Sequence, residues 1–433
     1  MGKRRHRLPG LGATGMSALV DFRSGATNRA RLAVAAIALV ATLVAFGGMA
    51  GSAPGQQLTT INVDTLAIAN GLPLTLGVNK GFFAAQGLEI KPKVFASGND
   101  IVLAMANGQG DVGYMGYTPA MIGRTQGVAP LSVLAASETE GATEADNWQN
   151  VVVDGSSSIH TPRDLVGKTI ALNALKGVTE LVVRGSLDKL GIDSNSVKFA
   201  TMPFPTMPAA LANGQVDAIH TPEPFMSQVL ARGGRIVLAP GPVITPFLPN
   251  GCYCARSDWM AKNPDLVKKF RAAINQSLTY ANSHPDEVRA LLPAAIRNIR
   301  LPNWSPLLDR SKLLLLARLA KKYDIIKTLP NMTVFAPRFV EEGTFLNATV
   351  GQSGFLTLRL DGKVVTRLPA GKVTIAVADK SSKDNFHLKG AGVDRSTSVP
   401  KKQQATWTIT LKKGVYRFAS DGSSKKKGSF RVG

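Results

Sequence analysis

Two cysteines in 433 residues leave no disulfide framework and no zinc-finger spacing. They are Cys252 and Cys254. On a strand, residues two apart share a face with Cα atoms roughly 6.5–7 Å apart, at or beyond the usual reach of a disulfide. The pair therefore reads as two small apolar residues on one buried strand face, with a strained or redox-active pair as the alternative. Histidine is sparse as well. His6, His160, His220, His284 and His387 are scattered and form no His-x-x-x-His; His220 follows a strand and reads as structural or cleft-lining. No serine sits in a nucleophile elbow and no glycine loop cradles a phosphate. These absences argue against an enzyme, and no cofactor or metal is expected. Acidic residues are few, 29 against 51 basic, giving a net charge of +22. An even spread would point to nucleic acid, but the spread is uneven. Residues 1–31 hold 7 basic and 1 acidic residue, 32–349 hold 27 and 23, and 350–433 hold 17 and 5. The nearly balanced middle carries no nucleic-acid signal. The basic ends fit an acidic surface such as anionic lipid or wall polymer.

What is present is a long folded chain. It is 44% hydrophobic and 18% charged, and long enough for two or more domains. Lys3, Arg4, Arg5, Arg7, Arg23, Arg29 and Arg31 precede the apolar run LAVAAIALVATLVAFGGMA, which is followed by Gly51-Ser52-Ala53. Basic residues, an apolar run and small residues make an export signal, so the chain beyond residue 55 is expected outside the cytoplasm, secreted or anchored by this run. The run is also near the length of a membrane span. No cysteine comes after it for a lipid anchor.

From residue 60 to about 245, strand and helix patterns alternate. VDTLAIA, EIKPKVFA, DVGYMG, GKTIALNA, VKFATMPF and VDAIHT read as strands. GLPLTLGVNKGFFAAQGL, IVLAMA, TELVVRGSLDKLG and MPAALANG read as helices, the second capped by Ser97. Thr118-Pro119 and Pro222-Glu223-Pro224 read as helix openings. Two runs of β-α-β units predict two α/β lobes with largely parallel sheets, which bind ligands beyond the carboxyl ends of their strands. Residues 263–335 read as helical, with joints at His284-Pro285 and Leu301-Pro302. SKLLLLARLAKKYDII has an apolar and a basic face and reads as packing on a lobe.

One phrase occurs twice. MANGQGDVGYMGYTP and LANGQVDAIHTPEP share Asn-Gly-Gln-x-Asp, with Asp111 and Asp217 106 positions apart. Each reads as a glycine-stopped helix feeding a strand toward a cleft. Ser97-Gly98-Asn99, Tyr117-Thr118 and Gly177-Val178-Thr179 are small or hydroxylic residues at helix starts, where free N–H groups and the helix dipole favour an anion. Glu223 reads as an acceptor for an amine or ring N–H of the ligand, or as a carboxylate complementing its own helix.

Taken together, GLPLTLGVNKGFFAAQGLEI, FASGNDIVLAMANGQGDVGYMGYTPAMI, DLVGKTIALNALKGVTELVVRGSLDKLGI and ALANGQVDAIHTPEPF resemble the nitrate/sulfonate/taurine and thiamine-pyrimidine-precursor binding proteins of ABC importers. The resemblance covers roughly residues 60–340. It implies a two-lobed periplasmic-binding-protein fold over 56–345, with the second lobe at about 152–245, closing on a small polar ligand and served by permease and ATPase subunits. It implies ligand contacts at Ser97, Gly98, Tyr117, Thr118, Asn173, the Gly177–Thr179 turn and Glu223; Asn99 joins them from its helix start. No arginine cluster in the expected cleft demands a strong anion. A membrane-tethered sensor is the alternative. An enzyme like the fungal thiamine-pyrimidine synthases is a further one, but those have more cysteines around the position of Cys-Tyr-Cys.

After about residue 345 the pattern changes to short alternating strands, predicting a small β-sandwich over 346–433. AGKVTIAVADKSSKDNFHLKGAGV and WTITLKKGVYRFASDGSSKKKGSFRV resemble a cupredoxin. His387 matches the first copper-ligand position of that family. The others fall on Ser420, Ser423 and Lys426, so no thiolate is available for a blue-copper site. Lys425-Lys426-Lys427 reads as a basic loop for an acidic surface.

Overall fold

The computed structural model describes residues 57–352 and 355–433. The export signal or anchor expected within residues 1–55 lies outside the described residues. No described helix is long and apolar enough to cross a membrane.

The first lobe is built on a six-stranded sheet. Its strands are β1 (Thr59–Leu66), β2 (Leu88–Phe95), β3 (Val112–Gly116), β4 (Leu131–Thr139), β10 (Pro249–Arg256) and β11 (Asn303–Trp304), in the order β11-β4-β10-β3-β1-β2. The second lobe uses β5 (Gln149–Val153), β6 (Thr169–Leu172), β7 (Lys198–Thr201), β8 (Ala218–Pro222) and β9 (Arg235–Leu238), in the order β7-β6-β8-β5-β9. The two orders are equivalent once β11 is set aside. In each sheet, three parallel strands are followed by an antiparallel strand that has just crossed from the other lobe, β10 in the first and β5 in the second. Strands buried on both faces, such as β4, β5 and β8, are runs of small and β-branched residues, as sheets covered by helices require.

The repeated phrase performs the same structural task in both lobes. The helices Gly98–Ala106 and Met207–Ala212 end at Asn107 and Asn213. The next residues, Gly108 at φ 70° and Gly214 at φ 67°, take the left-handed conformation that stops a helix. Gln109 and Gln215 then donate their N–H back to Ala104 and Ala210, each at 3.0 Å. Finally the aspartate clamps the neighbouring parallel strand. Asp111 accepts from the Asn62 N–H at 2.8 Å and the Asn62 amide at 3.0 Å; Asp217 accepts from the Thr169 N–H at 2.8 Å.

Several expected boundaries move. The helix expected over 71–88 stops at Asn79; a turn and a short 3-10 segment, Ala84–Gln86, complete it before Gly87. Thr118 does not cap its helix, which opens one residue earlier at Tyr117 on Gly116. Pro222 ends β8, and the next helix begins at Phe225. The segment 263–335 is not helical throughout. Helices Pro264–Ser283 and Pro285–Ala290 are followed by β11, and helices resume at Arg310–Lys322 and Met332–Phe335. The strand forms because the chain pairs with Glu138 and Thr139 of β4, and the Trp304 indole donates to Asn70 O at 3.1 Å. Helix Arg310–Lys322 lays Leu313, Leu316, Ala317 and Ala320 into the first-lobe core.

The C-terminal region is all β, with two five-stranded sheets around one core. The first sheet contains β12 (Thr344–Val350), β13 (Leu356–Leu360), β14 (Lys363–Val364), β16 (Gly371–Asp379) and β19 (Gln403–Leu411). The second contains β15 (Arg367–Leu368), β17 (His387–Gly390), β18 (Val393–Ser396), β20 (Gly414–Ser420) and β21 (Ser423–Val432). Val373, Ile375 and Val377 face Phe386, Tyr416, Phe418 and Phe430 in the core between them. The expected Lys425–Lys427 loop is part of strand β21. Lys426 pairs with Asp384 at 2.8 Å, while Lys427 is exposed. The first sheet is the one that meets the α/β unit. Thr374 bonds Ser305 at 2.9 Å, Lys372 pairs with Glu341, and Phe345 and Ala376 pack with Leu307, Phe247 and Ala142.

Candidate functional site

Between the lobes, at the carboxyl ends of their parallel strands, lies a cavity of about 40 Å³. Leu66 and Gly116 end β1 and β3 on one side; Asn173 follows β6 and Pro222 ends β8 on the other. By the same measure a water needs about 10–15 Å³, so the space suits the polar groups of a small solute and not a polymer. The lobes touch around it. The Asn99 amide donates to Leu175 O at 3.2 Å, and the Ala69 N–H donates to Glu223 O at 3.1 Å.

One set of lining groups consists of donors. The helices Gly98–Ala106 and Val178–Lys189 begin at the cavity, and their first N–H groups have no partner within the helix. Ser97 caps the first helix, accepting from the Asp100 N–H at 3.2 Å and donating to the Asp100 carboxylate at 2.7 Å. The second is opened by the turn at Lys176, φ 55°, whose N–H donates to Glu180 at 2.7 Å. Thr179 donates its hydroxyl to Asn173 Oδ1 at 3.1 Å, which leaves the Asn173 amide N–H₂ as a further donor.

The other set consists of acceptors, oriented by two buried glutamates. Glu138, near the end of β4, and Glu140, one residue past it, are 2% and 1% exposed. Glu138 Oε1 accepts from the Tyr114 hydroxyl at 2.6 Å and the Asn70 amide at 2.9 Å. Glu140 Oε1 accepts from the Asn250 amide at 2.8 Å and from the Gln149 amide. Tyr114, Gln149 and Asn250 all line the cavity. Tyr114 spends its one O–H, and Gln149 and Asn250 one of their two amide N–H donors each, on a carboxylate behind them, and each keeps an oxygen lone pair for whatever lies in front. Gly251 makes room for this arrangement, because a Cβ there would collide with the Glu138 carboxylate. Burial pushes the Glu138 carboxyl up, against the pull of Tyr114 and Asn70, and pushes Glu140 up to about 7. Burial likewise raises the Tyr114 phenol well above its ordinary value, so it stays a hydroxyl.

Of the residues expected at the site, Gly98, Asn99, Asn173, Gly177, Val178 and Thr179 line the cavity; Ser97, Tyr117, Thr118 and Glu223 do not. Ser97 is occupied as a cap. Tyr117 is buried in the first-lobe core beside the cysteines, and Thr118 is buried in the first turn of its helix. Glu223 spends its carboxylate on the protein. It accepts from the Ser227 hydroxyl at 2.8 Å, the Ser227 N–H at 3.1 Å and the Arg300 N–H at 3.1 Å. His220 is fully buried away from the cavity, and burial lowers its pKa to about 3. Cys252 and Cys254 share a buried face of β10 with sulfurs 3.4 Å apart and unbonded. Sequence pattern alone did not single out Glu138 and Glu140, although SETE at the end of a strand of small apolar residues is itself a signal: charge in a doubly covered strand needs a reason.

Two α/β lobes of matching topology with a polar cavity at their switch points define a protein of the periplasmic-binding-protein fold. The NMT1-like family model matches residues 55–295, more than half of the sequence, and the chain belongs to that family. The match stops short of the all-β region. The chain is 27% identical over 233 residues to the taurine-binding periplasmic protein of Escherichia coli, covering 53% of this chain and 69% of that one. Among solved structures, the aliphatic sulphonate binding protein SsuA of Escherichia coli superimposes with a TM-score of 0.54 at 16% identity, over 64% of this chain and 97% of that one. SsuA of Xanthomonas axonopodis bound to MOPS gives 0.53 at 18% identity, over 66% and 98%. These structural likenesses speak to the fold.

Proposed function

We propose that this chain is the extracytoplasmic solute-binding component of an ABC importer, taking a small solute with an oxyanion at one end and an amine at the other. It works by capture, lobe closure and hand-over to a permease driven by an ATPase, and it catalyses no reaction. Family membership and relatives named as binding proteins support the role. The ligand class rests on one observation, the presence of both donor and acceptor groups in one cavity lining. Helix N–H groups and Asn173 suit a sulfonate or carboxylate. Tyr114, Gln149 and Asn250, held by Glu138 and Glu140, suit an ammonium, and an ammonium in front of them favours the ionised form of the two carboxyls that burial otherwise disfavours. A short amino-sulfonate meets both demands; nitrate meets only the first. The taurine-binding relative agrees with this choice. Residues 1–55 then serve as export signal or anchor, and 346–433 as a cupredoxin-like module without the copper-ligand set.

Calorimetry on the purified protein tests the proposal. 2-Aminoethanesulfonate is expected to bind at least about tenfold more tightly than ethanesulfonate, the worth of one charge-assisted hydrogen bond. Equal affinities would overturn the amine assignment. No ligand-induced change in melting temperature with sulfonates, nitrate, bicarbonate or aminopyrimidines would overturn the solute-binding role.

A further inference from the structure

The all-β region has two outer faces of different character. The first sheet turns Thr374, Thr406 and Thr408 toward the α/β unit. Among the described residues, the second sheet's outer face bears none of the hydrogen bonds that join the two parts. Register decides which of its side chains point outward. Arg367 pairs with Arg431 and Arg431 with Val415; Ser429 pairs with Arg417 and Arg417 with Lys389; Lys427 pairs with Ala419. The alternate residues Leu368, Tyr416, Phe418, Phe430 and Val432 are buried in the sandwich core, so the first set points outward. Arg367, Lys389, Arg417, Lys427 and Arg431 are all exposed.

This face is almost uncompensated. Lys389 approaches Asp394 at 3.8 Å, and Asp421 is committed to His387 at 2.7 Å and the Asn385 amide at 2.7 Å. Among the described residues, Arg367, Arg417, Lys427 and Arg431 form no ion pair. Neighbouring strands lie about 4.8 Å apart, and alternate residues along a strand about 6.8 Å apart. The charges therefore spread across several neighbouring strands of one sheet face. No aromatic side chain stands on it to stack bases, since Tyr416, Phe418 and Phe430 face inward. Val415, 44% exposed, is the apolar residue among the cations.

We propose that this sheet face docks flat on an anionic phospholipid bilayer and holds the module against it. A plane of cations with one apolar residue matches a plane of headgroup phosphates above acyl chains. The sheet opposite meets the α/β unit, so docking leaves the lobes facing away from the lipid.

Flotation of the full chain with vesicles tests this. Vesicles of phosphatidylcholine alone report any apolar anchoring; vesicles containing phosphatidylglycerol report the charge-dependent part. The expected result is stronger binding to the anionic vesicles. The excess should disappear at about 1 M salt, where the screening length is about 3 Å. It should fall about fivefold for each of Arg367→Gln, Arg417→Gln, Lys427→Gln and Arg431→Gln. Circular dichroism of each variant confirms that it is folded. Equal binding to both vesicle types, or an excess unaffected by the fourfold variant, would overturn the proposal. So would capture of soluble polyphosphate together with indifference to anionic vesicles.

Discussion

The two lobes share a strand order and a phrase, yet furnish the cleft differently. In the first, β4 ends in Ser-Glu-Thr and Glu140 follows; in the second, the equivalent strand β9 is Arg-Ile-Val-Leu. The first lobe places two carboxylates behind lining side chains of both lobes, Tyr114 and Asn250 of its own and Gln149 on β5 of the second. Each lobe also brings a helix start to the cavity, and the second adds the Asn173 amide. A common topology sets where the cavity lies, and a few buried residues from one lobe decide which of its lining groups accept.

The contrast can be broken most severely at Gly251. Gly251→Val drives a branched side chain into the Glu138 carboxylate, and a loss of about 3 kcal/mol or more is expected in chemical denaturation. Next, Glu138→Leu frees the Tyr114 hydroxyl and removes one negative charge. It should weaken amine-bearing ligands by about tenfold or more while sparing their des-amino analogues, as read by calorimetry.

Glu140 gives a pH signature. Its folded pKa, about 7, lies above the ordinary 4.5, so the folded state holds the proton more tightly than the unfolded one. The stabilisation contributed by this group is therefore full below about pH 4.5 and is lost as pH rises through 7, by roughly 3 kcal/mol. Glu140→Gln should flatten the melting temperature across that window; an unchanged slope would mean the carboxyl titrates normally.

The repeated clamp sharpens the comparison at smaller scale. Asp111→Ala loses two acceptor contacts and Asp217→Ala one, so each should cost about 1 kcal/mol, the first more. In the all-β region, burial lowers the His387 pKa but hydrogen bonds to Asp421 and Asp394 raise it further, for a net rise. That stabilisation is present below pH 6.5 and is lost as pH rises through the folded value. His387→Gln should remove this small loss.

The lobes were legible because their signals are local. Glycines at 87, 108, 191 and 214 stop their helices with positive φ, and Ser97 caps where a serine before a helical run should. The donor half of the cleft follows from such helix starts. The acceptor half does not, because it depends on which residue stands behind another. Glu138 meets Tyr114 and Asn70 only once three distant segments are assembled, and Glu223 is taken up by Arg300 from 77 positions away. Strand β11 was hidden for the same reason: two residues join a sheet because Trp304 finds Asn70.

Phe247 sits where the α/β unit and the all-β region are joined. It lies on the crossover that returns the chain from the second lobe, holds φ at 54°, and packs against Phe345 with ring centres 5.9 Å apart and the rings tilted by 32°. Ala142, on the outgoing crossover, borders the same cluster. The all-β region therefore rests on the fulcrum of the lobes. In the closure proposed above, a swing of one lobe against the other works against that contact, so the balance between open and shut forms would be weighted by a region that contributes no residue to the cavity.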